Sequence, residues 1–314
     1  MLPLDLVPMP GPSAEDVLVG EDGRVWTGTA DGGLHVHDPA DGSVTTVATT
    51  GGRPLGLEWL PDGRLLVCDA GRGLLAVDTS DGSVDVLATE AEGRRLRVTN
   101  NAAVGPDGTV WFTDSSAFYD VEDWRDDLIA HTRSGRLLRR TPDGEVETVV
   151  GALAFANGVS LTPAQDAVLV AETATRRIRR VALPEGQPGE VTAWVEDLPG
   201  HPDNLALGSD GLVWVALASS PPDPTLRVLQ RGPEALRRLA VRVPERLKPE
   251  PRRTARVLAL ADDGRVVKDL SFDASHWHFC TGVREHDGRV WLGSLMEPAI
   301  AVADVPATPS QARS

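Results

Sequence analysis

An Asp-Gly-type turn recurs through this chain at Asp22, Asp62, Asp107, Asp166, Asp210 and Asp287. Seven residues before the turn stand Glu15, Leu55, Asn100, Asp203 and Cys280; the fourth turn is longer, Pro163-Ala-Gln-Asp166, and its equivalent is Asn157. A slot used only for packing should hold small or apolar residues, yet four of these six carry oxygen. Two are carboxylates and two are amides. If one architecture brings them together, the carboxylates need a partner, because burying an unpaired ion costs several kcal/mol. A hard cation answers that need: Ca²⁺ takes six to eight oxygens from carboxylates, amides and water. Glu15 and Asp203 would balance its charge, and Asn100, Asn157 and the adjacent Asn204 would fill its shell. The alternative is a water-filled channel in which the amides bond from repeat to repeat. No His or Cys cluster has zinc-like spacing, and Cys280 alone does not make a soft-metal site.

Two residues before the slot stand His201 and His278, in neighbouring repeats. An imidazole there could titrate near neutrality and carry a proton, which makes both candidate catalytic groups. Asp69, Asp114 and Glu172 hold one later repeat position and are read as structural acids bonded to a neighbouring repeat's backbone. His35 and His37 alternate on an outer strand and are expected to face solvent.

The elements that must position these groups follow from the same turns. Each turn opens an alternating or apolar run such as Arg24-Val-Trp26 or Thr109-Val-Trp111, which is a hairpin signal. The spacing is about 40 to 45 residues wherever nothing is inserted, with several short strands in each repeat, so the repeats are propeller blades. The expected fold is all-β: one six-bladed β-propeller domain over residues 1–314, with a central metal-binding tunnel lined by the innermost strands. The last repeat lacks a fourth strand, and Pro3–Val7 is the segment expected to close the ring. Trp26, Trp111, Trp214 and Trp291 share one slot and read as inter-blade core.

Two insertions break the period. Residues 117–134 fall between the second and third strands of blade 3, and residues 219–253 at the same point of blade 5. Pro233 to Val243 in the latter reads as an amphipathic helix. Both insertions are expected over one end of the tunnel, where loops on a rigid scaffold carry function.

A net charge of −15 argues against nucleic acid and anionic membrane as partners. No apolar run spans a bilayer and no signal peptide is legible, so a cytoplasmic protein is expected, a monomer acting on a small molecule. Cys68 and Cys280 read as free buried thiols.

The runs Gly51-Gly-Arg-Pro-Leu-Gly56, Trp111-Phe-Thr-Asp-Ser-Ser116, Phe155-Ala-Asn-Gly-Val159, Pro199-Gly-His-Pro-Asp-Asn204 and Glu285-His-Asp-Gly-Arg-Val-Trp-Leu-Gly-Ser294 resemble the strictosidine synthase-like family, in its adipocyte plasma-membrane-associated-protein branch. The resemblance covers nearly the whole chain, and no counterpart of the animal proteins' membrane anchor is expected. It implies membership of a superfamily of calcium-containing six-bladed hydrolases, with the senescence-marker/gluconolactonase proteins and paraoxonases. Glu15, Asn100, Asn157 and Asp203 match that superfamily's metal ligands, and Asn204 a further one. Asn101 departs from the family's usual Asp, and His201 from an aromatic or apolar residue. The activity implied is calcium-dependent hydrolysis of lactones or of aryl and carboxylic esters, with Asp203 orienting water or attacking directly. Two alternatives stand beside it. One is a strictosidine synthase-like condensation or another natural-product lyase, cyclase or isomerase reaction. The other is a non-enzymatic binding propeller. The condensation needs a glutamate in the last blade, where this chain has Cys280.

Overall fold

The computed structural model describes residues 1–248 and 250–306. Six four-stranded antiparallel sheets follow one another along the chain, and their innermost strands touch in cyclic order to form a ring. Blade 1 runs from Val17–Val19 to Val44–Thr49, blade 2 from Pro54–Trp59 to Val84–Ala88, and blade 3 from Thr99–Val104 to Val146–Leu153. Blade 4 runs from Ala156–Leu161 to Val191–Val195 and blade 5 from His201–Leu207 to Val266–Ser271. Blade 6 begins at Cys280–His286 and takes its outermost strand, Asp5–Pro8, from the other end of the chain. That strand pairs antiparallel with Ala299–Asp304, Asp5 opposite Val302 and Pro8 opposite Ala299. One covalent terminus therefore seals the ring and leaves no open edge between first and last blades.

The blades adhere through the repeated tryptophan. Trp26 packs with Leu57 and Leu65 of blade 2, and Trp111 with Val159 and Val168 of blade 4. Trp214 packs with Val283 and Leu292 of blade 6, and Trp291 with Val17 and Val25 of blade 1. Each sits on the second strand and fills the wedge toward the following blade. A side chain of this size contributes roughly 2–3 kcal/mol by leaving water. Nearer the axis the wedge narrows until only glycine fits. A Cβ on Gly56 would stand 2.6 Å from Asn101 Cα and 2.7 Å from the Asn100 carbonyl oxygen, so blades 2 and 3 meet backbone to backbone.

Two expectations about polar residues change. His35 and His37 are 3% and 6% exposed, not solvent-facing. Their strand is third in its sheet, covered on both faces; the His35 ring lies 2.9 Å from Thr29 Oγ1 and 2.9 Å from Thr46 Oγ1. The repeated acids do bond backbone, but within their own blade. Asp114 Oδ1 accepts from the amides of Arg97 and Val98 at 3.0 and 2.9 Å, and Glu172 Oε2 accepts from Ala154 N at 2.8 Å. Asp69 Oδ1 accepts from Arg53 N at 3.1 Å. Each acid clamps the segment that enters its blade's innermost strand, which fixes where that strand begins. Cys68 and Cys280 are free and buried.

The insertions are helical. The first carries α1 (Trp124–Ala130), and the second carries α2 (Pro224–Arg231) and α3 (Glu234–Val241). Only α3 follows from the sequence pattern, and Pro233 is its N-cap. In α2 the signal is Asp223, whose side chain caps Thr225 N at 2.7 Å, with Pro224 at the first position. The three helices pack on one another. Gln230 Nε2 donates to Leu128 O at 3.0 Å, Arg237 Nε donates to Ala130 O at 3.0 Å, and Lys248 pairs with Asp126.

Candidate functional site

The slot residues reach the axis through a local irregularity. Between Thr99 and Ala102, Ala156 and Val159, and Pro202 and Leu205, the innermost strand slips register against its neighbour. Asn100, Asn157 and Asp203 all lie in these slips. A bulge releases consecutive side chains from strict alternation, so two neighbours need not point to opposite faces. Glu15 precedes the short first strand of blade 1. The turn count located these positions, whereas the bulges left no signal in the sequence.

Glu15, Asn100, Asn157 and Asp203 line one end of a cavity of about 140 Å³, together with His201, Thr173 and Thr281. Asn204 lies beside them, its Nδ2 donating to Glu15 Oε1 at 3.4 Å. The amide donors of Asn157 and Asn204 are used, while the acceptors of all three amides are not. Asn157 Nδ2 donates to Thr173 Oγ1 at 3.1 Å, yet Oδ1 of Asn100, Asn157 and Asn204 are buried without a hydrogen-bond partner. An orphaned buried acceptor costs about 1–3 kcal/mol, and three converge here. The carboxylates are equally unprovided for. Burial pushes Asp203 up to about 8, and burial with the charges of Asp16 and Asp203 holds Glu15 well above the usual carboxylate range. Such a set fits a hard divalent cation. Among the described residues no three His, Cys, Asp or Glu side chains group to hold a metal, which suits this composition of two carboxylates and three amides.

Behind this layer, Asp16 is pushed up to about 6 by burial, and its Oδ2 accepts from Leu57 N at 3.2 Å and Asn101 Nδ2 at 3.3 Å. Asn101 Oδ1 in turn accepts from Val159 N at 2.9 Å. This chain of bonds ties blades 1 to 4 together under the site. Asn101, where the resemblance would put Asp, is therefore a brace.

The two histidines part company. His201 is 8% exposed and lines the cavity; Nδ1 lies 2.9 Å from Thr173 O, and Nε2 has no partner. A carbonyl can only accept, so Nδ1 carries the proton and Nε2 is left as an acceptor. Burial lowers the tendency of this ring to charge. His278 is not in the lining: its Nδ1 faces Glu297, and Nε2 lies 3.5 Å from Arg253 Nη1.

The walls above the polar end are apolar, and of their residues the aligned slot names only Leu55. Leu55, Phe155, Phe279 and Leu295 come from the blades, Trp124 and Leu128 from α1, and Leu226 and Leu229 from α2. Phe155 and Phe279 have φ of 60° and 58°, an uncommon backbone for a bulky residue, and it turns each chain into its innermost strand. Both insertions thus wall the same cavity.

Fold and site together define a six-bladed β-propeller of the gluconolactonase kind. Residues 25–241 match the SMP-30/gluconolactonase/LRE-like region, and residues 4–35 match the N-terminal region of strictosidine synthase-like proteins. The human adipocyte plasma membrane-associated protein is 35% identical over 297 residues, 87% of this chain and 71% of that protein. The chain belongs to the strictosidine synthase-like family, in the branch of that protein, within the SMP-30/gluconolactonase superfamily. Among solved structures, a gluconolactonase from Xanthomonas campestris superposes with a TM-score of 0.71 at 16% identity, covering 96% of this chain and 89% of that one. The calcium-binding protein regucalcin from Agrobacterium tumefaciens gives 0.67 at 17% identity, covering 97% and 95%. At such identities the likeness is one of fold.

These relatives correct the expectation of a cytoplasmic protein. The human, salmon, rat and mouse proteins are all named as associated with the plasma membrane. No helix among the described residues is long and apolar enough to cross a membrane. That concerns spanning alone; attachment to a bilayer surface requires only a suitable face.

Proposed function

We propose that this protein hydrolyses a lactone or an aryl or carboxylic ester, with a divalent cation, calcium by its donor set, held by Glu15, Asn100, Asn157 and Asp203 and supported by Asn204. The observation that carries this reading is the convergence of three orphaned amide oxygens on two buried carboxylates at the floor of an apolar pocket. When bound, the cation supplies Lewis acidity toward the substrate carbonyl. The rest of the chemistry belongs to the chain. Trp124, Leu128, Phe155 and Leu226 hold the apolar part of the substrate and exclude bulk water, which strengthens every polar interaction at the floor. Asp203 orients the attacking water or attacks the carbonyl carbon itself. His201 Nε2, a free acceptor at the pocket wall, takes a proton from the water that is attacking. His278 takes no part in this scheme, because Glu297 occupies it.

The match to strictosidine synthase-like proteins favours a second reading, a condensation of amine and aldehyde on the same scaffold. That chemistry needs an acid–base group in blade 6, and burial instead drives the Cys280 thiol well above its usual range. Elemental analysis and a panel of lactones and aryl esters, assayed with and without chelator, test the proposal. The expected result is one divalent ion per chain and turnover that chelator removes and calcium restores. Full turnover in metal-free protein would overturn the metal assignment. Turnover of an amine–aldehyde pair with no lactone or ester hydrolysed would favour the second reading.

A further inference from the structure

The outer face of the helical cap differs from the rest of the surface. Most exposed large apolar side chains among the described residues are scattered singly, but Val228, Leu236, Leu239, Val243 and Leu247 fall within one segment. Leu236, Leu239 and Val243 follow helical spacing and so share one face of α3 and the turn after it. Five exposed leucines and valines so close together call for a partner.

The charge of the same segment says which. Residues 224–248 hold seven Arg and Lys against two Asp and Glu, on a chain whose net charge is −15. Arg237 and Lys248 are spent inside the cap, on backbone carbonyls and on Asp126. Arg238 pairs with Glu234. Arg227, Arg231, Arg242 and Arg246 are exposed and make no ion pair among the described residues. Free arginines interleaved with leucine and valine make the pattern of a helix that lies in a membrane interface. Nucleic acid would match the charge but would leave the leucines in water. A second copy would bring four unpaired arginines against four.

We propose that the outer face of α2, α3 and the following turn through Leu247 docks on an anionic phospholipid surface. The apolar side chains enter the headgroup boundary and the four arginines meet lipid phosphates and carboxylates. The acidic remainder of the molecule is repelled, so the cap is the side that approaches. Lys248 and Glu250 line the pocket, as do Leu226 and Leu229 on the inner side of α2, so docking sets the pocket beside the lipid. A surface of this kind is opposed to the expectation from net charge alone. Screening resolves the conflict: at physiological salt a charge is felt over about 8 Å, so the local excess on the cap outweighs a distant acidic body.

The test is flotation of the purified full-length chain with vesicles of phosphatidylcholine alone or phosphatidylcholine with phosphatidylserine, at low and high salt. The wild type should float with the anionic vesicles, weakly with the neutral ones, and less as salt rises. Arg242→Gln and Arg246→Gln should each weaken binding about five-fold, the worth of one basic residue near an anionic surface. Leu239→Asp should remove binding. Val191→Asp, at an isolated exposed site on blade 4, should leave it unchanged, and circular dichroism should be the same for all four variants. Equal binding to neutral and anionic vesicles, or equal loss in Val191→Asp and Leu239→Asp, would overturn the proposal. So would self-association that Leu239→Asp dissolves without any vesicle binding, which would assign the face to a second copy.

Discussion

Asp203→Asn should make the metal-free protein more stable while destroying its activity. In the folded, metal-free chain burial moves the Asp203 carboxyl from an ordinary 3.8 up to about 8. A raised carboxyl keeps its proton when folded and loses it when unfolded. Stability therefore falls as pH rises above about 4 and levels only above the folded value. At about 1.4 kcal/mol per pH unit, this one group accounts for a loss on the order of 5 kcal/mol between pH 4 and 8. Asparagine has the same shape and no proton to lose, so that part of the slope disappears. The assay is urea unfolding followed by tryptophan fluorescence, in chelator and in millimolar calcium, from pH 4.5 to 8.5. In chelator the variant should exceed wild type by several kcal/mol at pH 8 and by only about 1 kcal/mol near pH 4.5. Calcium should stabilise wild type strongly at pH 8 and the variant much less, because cation and proton compete for the same carboxylate. With calcium saturating, turnover of an ester or lactone should fall about 10²-fold or more. A variant no more stable than wild type at pH 8 in chelator would refute the burial argument. Wild-type turnover with the cation in place would refute the role of Asp203.

Other consequences are open to measurement. His201→Ala should lower kcat by about 10²–10⁴-fold if Nε2 moves a proton, while His278→Ala should leave kcat near wild type; equal effects would break the distinction drawn between them. Glu172 is held below the usual carboxylate range despite its burial, by Arg177, Arg179 and Ala154 N. Its contribution is therefore present above about pH 4.5 and lost as pH falls through the lower folded value, so Glu172→Gln should cost stability at pH 7 and progressively less as pH falls below about 4.5, by urea titration. Gly56→Ala would place a methyl 2.7 Å from the Asn100 carbonyl oxygen and should cost about 1–3 kcal/mol, with calcium affinity falling alongside, by calorimetry. Trp214, fully buried between blades 5 and 6, should cost about 3–5 kcal/mol as Trp214→Ala by denaturant unfolding.

Much of the architecture was legible because a propeller repeats itself. One turn signal every 40 to 45 residues or so reports blade number, strand order and an equivalent position in each blade. Six copies average out the ambiguity of any single hairpin. The missing fourth strand of blade 6 even pointed to Pro3–Val7, and the strand that closes the ring is Asp5–Pro8, while the shared tryptophan slot pointed to the inter-blade core. The oxygen-bearing slot was legible for the same reason: Glu15, Asn100, Asn157 and Asp203 stand out only when the repeats are laid over one another.

What the chain order could not disclose lies where repeats differ or where distant segments meet. His35 and His37 alternate like a solvent-facing pair, but their strand is enclosed by neighbouring blades, and enclosure is decided by the ring. His201 and His278 occupy equivalent positions, yet one faces the pocket and the other is taken by Glu297, a residue on a different loop. The pocket walls come from two unrelated insertions, and the cap's basic apolar face emerges only when α1, α2 and α3 pack and choose which side chains to bury. Sequence periodicity determines backbone repeats, because hydrogen-bonded strands and turns are local. Only tertiary structure decides which polar atoms are left without partners, because that depends on every neighbour brought in from elsewhere along the chain.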